Sequence, residues 1–166
     1  MSKAPSSSIL MRMFREQTNH PSTYFSCGLI DDDPYRWRCT IIGSEGTLYS
    51  GGMFPSELVF PIDFPNHPPK MQFKCPMWHP NIGKDGVVCI SILHEPGDDP
   101  NQYDHRSERW LPVHTVESII VSVISMLNDP NPESPLNVEA NRDFLFKNDE
   151  YKRKVRQCTS RSIEYC

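Results

Sequence analysis

Apolar positions near the amino terminus fall at helical spacing: Ile9, Leu10, Met13 and Phe14 recur at i, i+1, i+4 and i+5. That spacing predicts a helix over residues 6–17 with one apolar face, opened by serines able to cap it and laid on a sheet. Short runs rich in aromatic and β-branched residues follow over 24–30, 35–42, 53–60 and 70–73. Asp31-Asp32-Asp33-Pro34, Gly43-Ser44-Glu45-Gly46 and a proline cluster separate them, which predicts four sequential strands in an antiparallel meander. Between the third and fourth runs, Pro61, Pro65, Pro68 and Pro69 fix φ and remove backbone donors, so this stretch is expected as a stiff exposed loop. Helical spacing then returns. Ile119, Ile120, Val123, Ile124 and Leu127 form a wide stripe over 115–128, stopped by Asp129-Pro130-Asn131-Pro132, and this helix is expected behind the segment that ends at Cys89. Residues 137–146 and 149–163 complete a helical carboxy-terminal third, the last helix opening on acidic residues and turning basic, as a solvated face does. One helix, a four-stranded meander and then helices make an α+β fold in layers.

At 166 residues, with 37% apolar and 23% charged residues, the chain has room for one domain, taken as 1–166, and one core. A net charge of −4 gives no reason to expect nucleic acid. No run approaches the roughly 18 apolar residues that direct membrane insertion requires, and Met1-Ser2-Lys3-Ala4-Pro5 lacks the apolar core of a secretory signal. The expectation is therefore a cytoplasmic protein with nuclear access open to it. The six cysteines, Cys27, Cys39, Cys75, Cys89, Cys158 and Cys166, show neither C-x-x-C nor histidines at zinc spacing, so no metal site is expected, and in a reducing compartment they stay thiols. Five read as small hydrophobes or incidental surface thiols. Cys89 reads differently.

His79-Pro80-Asn81 stands eight residues before Cys89, inside the run Met77-Trp78-His79-Pro80-Asn81-Ile82-Gly83-Lys84-Asp85-Gly86-Val87-Val88-Cys89-Ile90-Ser91-Ile92-Leu93. A rigid turn, a side-chain amide and a single thiol brought together suit acyl transfer. A thiol with a pKa of about 8.5 is already a few per cent ionised near neutrality, so no strong base is required, and the thioester it forms stays activated toward an amine. What the step needs is help for the oxyanion. Asn81 is the candidate donor, the alternative being a turn residue that bonds its own loop. His79, beside Pro80, reads as a brace for the loop. A cysteine protease is the rival, because His79, His94, His105 and His114 share the chain with Cys89. Against it, protease nucleophiles usually open a helix, and Ile90-Ser91-Ile92-Leu93 followed by a charged, proline-broken stretch is poor helix.

The segment ending at Cys89 resembles the active-site signature of ubiquitin-conjugating enzymes. So do Tyr49-Ser50-Gly51-Gly52-Met53-Phe54, Phe60-Pro61-Ile62-Asp63-Phe64-Pro65 with Pro68-Pro69-Lys70, and Trp110-Leu111-Pro112, in order along nearly the whole chain. The resemblance implies an N-terminal helix, a four-stranded antiparallel sheet, a catalytic loop and further helices. It implies that Cys89 carries ubiquitin as a thioester, received from an activating enzyme and passed, under a RING-type ligase's direction, to lysines of protein substrates or of ubiquitin. No cofactor is implied. A second reading within the fold is conjugation of another ubiquitin-like modifier; a third is a non-catalytic ubiquitin-binding adaptor, although such variants lack the cysteine.

The stretch from His94 to Arg109 is longer than the usual passage from cysteine to tryptophan and resembles the acidic-loop branch, whose members include enzymes of endoplasmic-reticulum-associated degradation and commonly build lysine-48-linked chains. On that resemblance Asp98 and Asp99 are assigned to positioning the acceptor lysine and His94 with Tyr103 to holding the loop, the bland alternative being a solvated flap. It also allows recruitment to the endoplasmic reticulum by a partner. Ligase contact is expected on the loops holding Pro65-Asn66 and Trp110, Pro112 and Val113. Three departures stand out. Ser7-Ser8 replace a basic pair that meets the activating enzyme, leaving Lys3, Arg12 and Arg15; Asn66 replaces a larger apolar residue; and Ser134, beside Glu133, replaces an acidic residue at the active-site gate.

Overall fold

A computed structural model describes residues 5–94 and 109–166. Helix α1 (Pro5–Asn19) precedes strands β1 (Phe25–Ile30), β2 (Asp33–Ile42), β3 (Met53–Val59) and β4 (Lys70–Phe73), which form one antiparallel sheet in the order β1-β2-β3-β4. The expected meander is present, with strand ends within two residues of those read from the sequence. Phe25 pairs with Ile41, Cys27 with Cys39 and Leu29 with Trp37. Alternation does the sorting: Trp37, Cys39 and Ile41 of β2 are buried while Arg38 and Ile42 are exposed. The β1–β2 turn consists of Asp31 and Asp32, both left-handed at φ 53° and 56°, the backbone that a two-residue hairpin needs to match strand twist. Aspartate tolerates this region better than most side chains.

Helix α1 covers the buried face of the sheet, with Leu10 fully buried and the Phe14 ring edge-on to Trp37 at 5.3 Å between centroids. Ser6 does not act as the expected cap. Ser6 lies inside the helix and turns inward, donating to the Ile62 carbonyl at 2.5 Å and meeting the Tyr35 hydroxyl at 2.7 Å. A tertiary bond has taken the hydroxyl that local reading gave to the helix end.

Beyond β4 the chain makes helix α2 (Val116–Asn128), whose Thr115 cap and Ser118 bond each other's backbone reciprocally, then α3 (Val138–Phe146), capped by Asn137, and α4 (Asn148–Ser162). The inward stripe of α2 is Val116, Ile119, Ile120, Val123, Met126 and Leu127. At the other end of the chain α4 grips β3: the Met53 N–H donates to Ser162 Oγ, and Thr159 Oγ1 donates to the Leu48 carbonyl. Trp110, fully buried, donates from Nε1 to the Pro65 carbonyl at 2.9 Å and ties the proline-rich loop to the segment before α2.

Candidate active site

Residues 81–89 fold into a small hairpin, and its register brings Asn81 and Cys89 together. Gly86 N–H closes a turn onto the Gly83 carbonyl, Gly83 N–H bonds the Val87 carbonyl, Ile82 bridges Val88, and Cys89 N–H donates to the Asn81 carbonyl at 3.0 Å. Gly86 is needed at the tip: its φ is +88°, and a Cβ there would lie 2.2 Å from the Phe73 carbonyl oxygen. The second arm pairs with β4 in turn. Phe73 N–H donates to Gly86 O and Val88 N–H to Met71 O, so the sheet continues by one short antiparallel rung that carries Cys89 at its end.

Two further contacts hold the first arm. The His79 ring is fully buried, donates from Nε2 to the Met126 carbonyl at the end of α2, and accepts the Asn81 N–H at Nδ1, both at 2.9 Å. This fixes the neutral tautomer, and burial holds the ring's pKa down at about 4. The Pro80 carbonyl accepts from both Leu136 and Asn137 N–H. These bonds agree with the reading of His79 as a brace, and α2 lies behind the segment as expected.

Asn81 is itself buried, and its amide is fully used. Oδ1 accepts the Asn131 N–H at 2.8 Å, while Nδ2 donates to the Asn131 carbonyl at 2.9 Å and to the Ser134 carbonyl at 3.4 Å. The bonds run to a loop some fifty positions away, neither to its own turn nor into open space. Ser134 contributes its carbonyl to this clamp and leaves its side chain at the surface. Asn131 is the partner that sequence reasoning missed. Its stretch was read only as a helix stop, and because Asn131 meets Asn81 through its backbone N–H and carbonyl, its residue type carried no signal of the contact.

Cys89 is half-buried, and its Sγ lies 3.4 Å from His94 Nε2. Ile90 is extended and Ser91–Leu93 make one 3-10 turn, which swings His94 back over the thiol. His94 N–H donates to the Ser91 carbonyl, and the His94 carbonyl accepts from Trp110 N–H at 3.2 Å. The sequence assigned His94 to holding the loop that follows it, which lies outside the described residues; what the structure shows is that the ring reaches the sulfur. An imidazole at this distance can take the thiol proton or donate to the thiolate. The neighbouring segment is no α-helix, as the argument against a protease required.

Asp98, Asp99 and Tyr103, with the rest of the acidic stretch, lie outside the described residues, as does Lys3. Arg12 and Arg15 are exposed three positions apart on α1. Pro65 is half-buried, Asn66 and Pro112 are exposed, and Val113 is 80% exposed, whereas Trp110 is sealed in the core and acts on that surface only from beneath. Ile62, 75% exposed, joins the same pair of loops and was not singled out in the sequence. Among the other thiols, burial pushes Cys75 up to about 12 and raises Cys158, while the adjoining Cys27 thiol and then burial raise Cys39. Among the described residues no cluster of three or more histidine, cysteine or acidic side chains suits a metal ion, and no helix is long and apolar enough to cross a membrane.

Residues 9–159 match the family model described as ubiquitin-conjugating enzyme. The chain is 52% identical over 157 residues to Ubiquitin-conjugating enzyme E2 7 of Arabidopsis thaliana, covering 94% of this chain and 95% of the relative. It is 53% identical over 160 residues to Probable ubiquitin-conjugating enzyme E2 7 of Caenorhabditis elegans, covering 96% and 98%. With Ubiquitin-conjugating enzyme E2 G2 of Bos taurus it shares 43% identity over 155 residues, 93% of this chain and 94% of the other.

Proposed function

The chain belongs to the ubiquitin-conjugating enzyme family, and from that premise we propose that Cys89 is its acceptor thiol, taking ubiquitin from the activating enzyme as a thioester. The observation that carries this reading is the hairpin register, which holds Cys89 against Asn81 at the end of the sheet with His94 Nε2 3.4 Å from the sulfur. Charging exchanges one thioester for another: the Cys89 sulfur attacks the carbonyl carbon of the incoming ubiquitin, the activating enzyme's thiol leaves, and the Cys89 proton passes to it. In discharge a lysine amine of a substrate or of ubiquitin attacks the same carbonyl, the C–N bond forms, and Cys89 leaves with a proton. His94 receives or returns that proton. Asn81, with both amide hydrogens engaged by backbone carbonyls, fixes the geometry of the gate, and an oxyanion bond from Nδ2 is made by sharing the hydrogen held at 3.4 Å by Ser134.

In this reading Asp98 and Asp99 attract the acceptor lysine to the thioester and Tyr103 helps hold their loop. A RING-type ligase docks on the loops of Pro65-Asn66 and Pro112-Val113, and the activating enzyme meets Arg12 and Arg15. Lysine-48-linked chains, protein degradation, and work in the cytoplasm with recruitment to the endoplasmic reticulum follow from likeness to the acidic-loop branch. The test is charging: the chain, activating enzyme, ATP and ubiquitin should give a conjugate that reducing agent removes, and Cys89→Ala should abolish it without lowering the melting temperature. A reducible conjugate on Cys89→Ala, or one formed only with a different modifier, overturns the assignment.

A further inference from the structure

Outside the active site, at the opposite edge of the sheet, Cys27 and Cys39 face each other across β1 and β2 with their sulfurs 3.0 Å apart. The register shows which kind of pair this is. Ile42 N–H donates to the Tyr24 carbonyl, so Tyr24–Ile42 is a hydrogen-bonded rung, and alternation makes Cys27–Cys39 a narrow, non-hydrogen-bonded one. Opposite residues on such rungs have Cα atoms about 4.5 Å apart, within the span a disulfide bridges. The neighbouring strand agrees: Gly43 N–H bonds the Gly52 carbonyl, which makes Cys39–Ser56 the wide rung on the other side of β2. Cys39 is fully buried, whereas Cys27, on the edge strand, is part-exposed. Cys27 is therefore the residue of the pair nearer solvent, with Cys39 behind it in the core.

We propose that Cys27 and Cys39 form an oxidation site, at which a small hydroperoxide converts the two thiols into a cross-strand disulfide. The part-exposed Cys27 sulfur attacks the peroxide; the S–O bond forms, the O–O bond breaks, and the leaving oxygen departs with the Cys27 proton, as water from hydrogen peroxide or as the alcohol from an alkyl hydroperoxide. The Cys39 sulfur then attacks the sulfenic sulfur. The S–S bond forms, the S–O bond breaks, and water carries off the Cys39 proton. Two sulfurs lose one electron each and the peroxide gains both. The adjoining Cys27 thiol and then burial raise the pKa of Cys39, which leaves Cys27 as the first nucleophile of the pair.

Chemistry at this rung is independent of the acceptor role of Cys89, and the experiment keeps them apart. The full chain carrying Cys89→Ser is treated with hydrogen peroxide, its remaining thiols are alkylated under denaturing conditions, and the digest is read by mass spectrometry without reduction. The expected result is a Cys27–Cys39 linked peptide, the loss of two hydrogens from the intact chain, and a melting temperature several degrees above that of the reduced form, because the cross-link restricts the unfolded chain. Reduction should reverse all three. In a chain with Cys27→Ser as well, Cys39 should stay alkylatable, and Cys27→Ser alone should charge at the rate of the unsubstituted chain. Sulfinic acid on Cys27 with Cys39 still alkylatable, or a linkage joining two chains, overturns the proposal.

Discussion

Burial holds His79 neutral down to a pKa of about 4, against 6.5 for an ordinary histidine, because its ring is cut off from water, an effect that outweighs the backbone bond to Met126 favouring the charged ring. Between those values the unfolded chain takes up a proton that the folded chain refuses, so stability is present above about 6.5 and drains away as pH falls toward 4. The whole effect is about 3 kcal/mol. Urea unfolding at several pH values from 7 to 4 should show this loss, and His79→Gln, though weaker at pH 7, should lose less over the same interval; equal slopes would rule the ring out as the cause. Asn81 illustrates the other use of a polar side chain in this site. Three hydrogen bonds from one amide join loops that are fifty residues apart, and nothing local in the sequence reveals them. The residue types at the site were legible, since a lone thiol near an amide and a rigid turn is a short list of chemistries. Their partners were not, because backbone carbonyls carry no sequence signature.

Among the elements, the hairpin from Asn81 to Cys89 decides most. Gly86→Ala adds strain at positive φ and drives a methyl into the Phe73 carbonyl, where no flexible side chain can yield. The expected cost is about 2–4 kcal/mol, with charging of Cys89 slowed as its rung with Asn81 loosens. Gly46, also at positive φ but with nothing within 4 Å of a Cβ, is the control: Gly46→Ala should cost about 1 kcal/mol and leave charging alone. Thermal melts paired with single-turnover charging separate the two. The strands were easy to read, because alternation and turn residues agree with the final sheet at Asp31-Asp32 and along Trp37, Cys39 and Ile41. The rung formed by Gly86 to Val88 was not, being too short for a periodic signal and defined only by pairing with β4. Ser6 misled for the opposite reason: its local preference for a cap is real, and the Ile62 carbonyl outcompetes it.

Over the whole molecule, the Trp110–Pro65 bond sets the proline-rich loop beside the segment leading into α2, so that Ile62, Asn66, Pro112 and Val113 reach solvent together on a stiff base. Stiffness lowers the ordering cost of docking, which supports the proposed ligase contact on these loops. Val113→Asp should weaken ligase-stimulated discharge at least tenfold, about 1.4 kcal/mol or more, while unassisted discharge and the melting temperature hold. Trp110→Ala, in contrast, should cost about 3–5 kcal/mol through the cavity it leaves. Equal losses of assisted and unassisted discharge with Val113→Asp would mean the surface serves the reaction and not the partner. The placement of His94 over the thiol depends on this same bracing through its carbonyl, which is why its reach to the sulfur could not be read from a five-residue spacing alone. The rung from Gly86 to Val88 also does something for the protein before any ubiquitin arrives. It occupies the outer N–H and C=O groups of β4, an edge that would otherwise offer another chain a template for strand addition. One set of backbone bonds therefore both places the proposed acceptor thiol and covers the strand edge, so Gly86→Ala is expected to lower charging and raise self-association together.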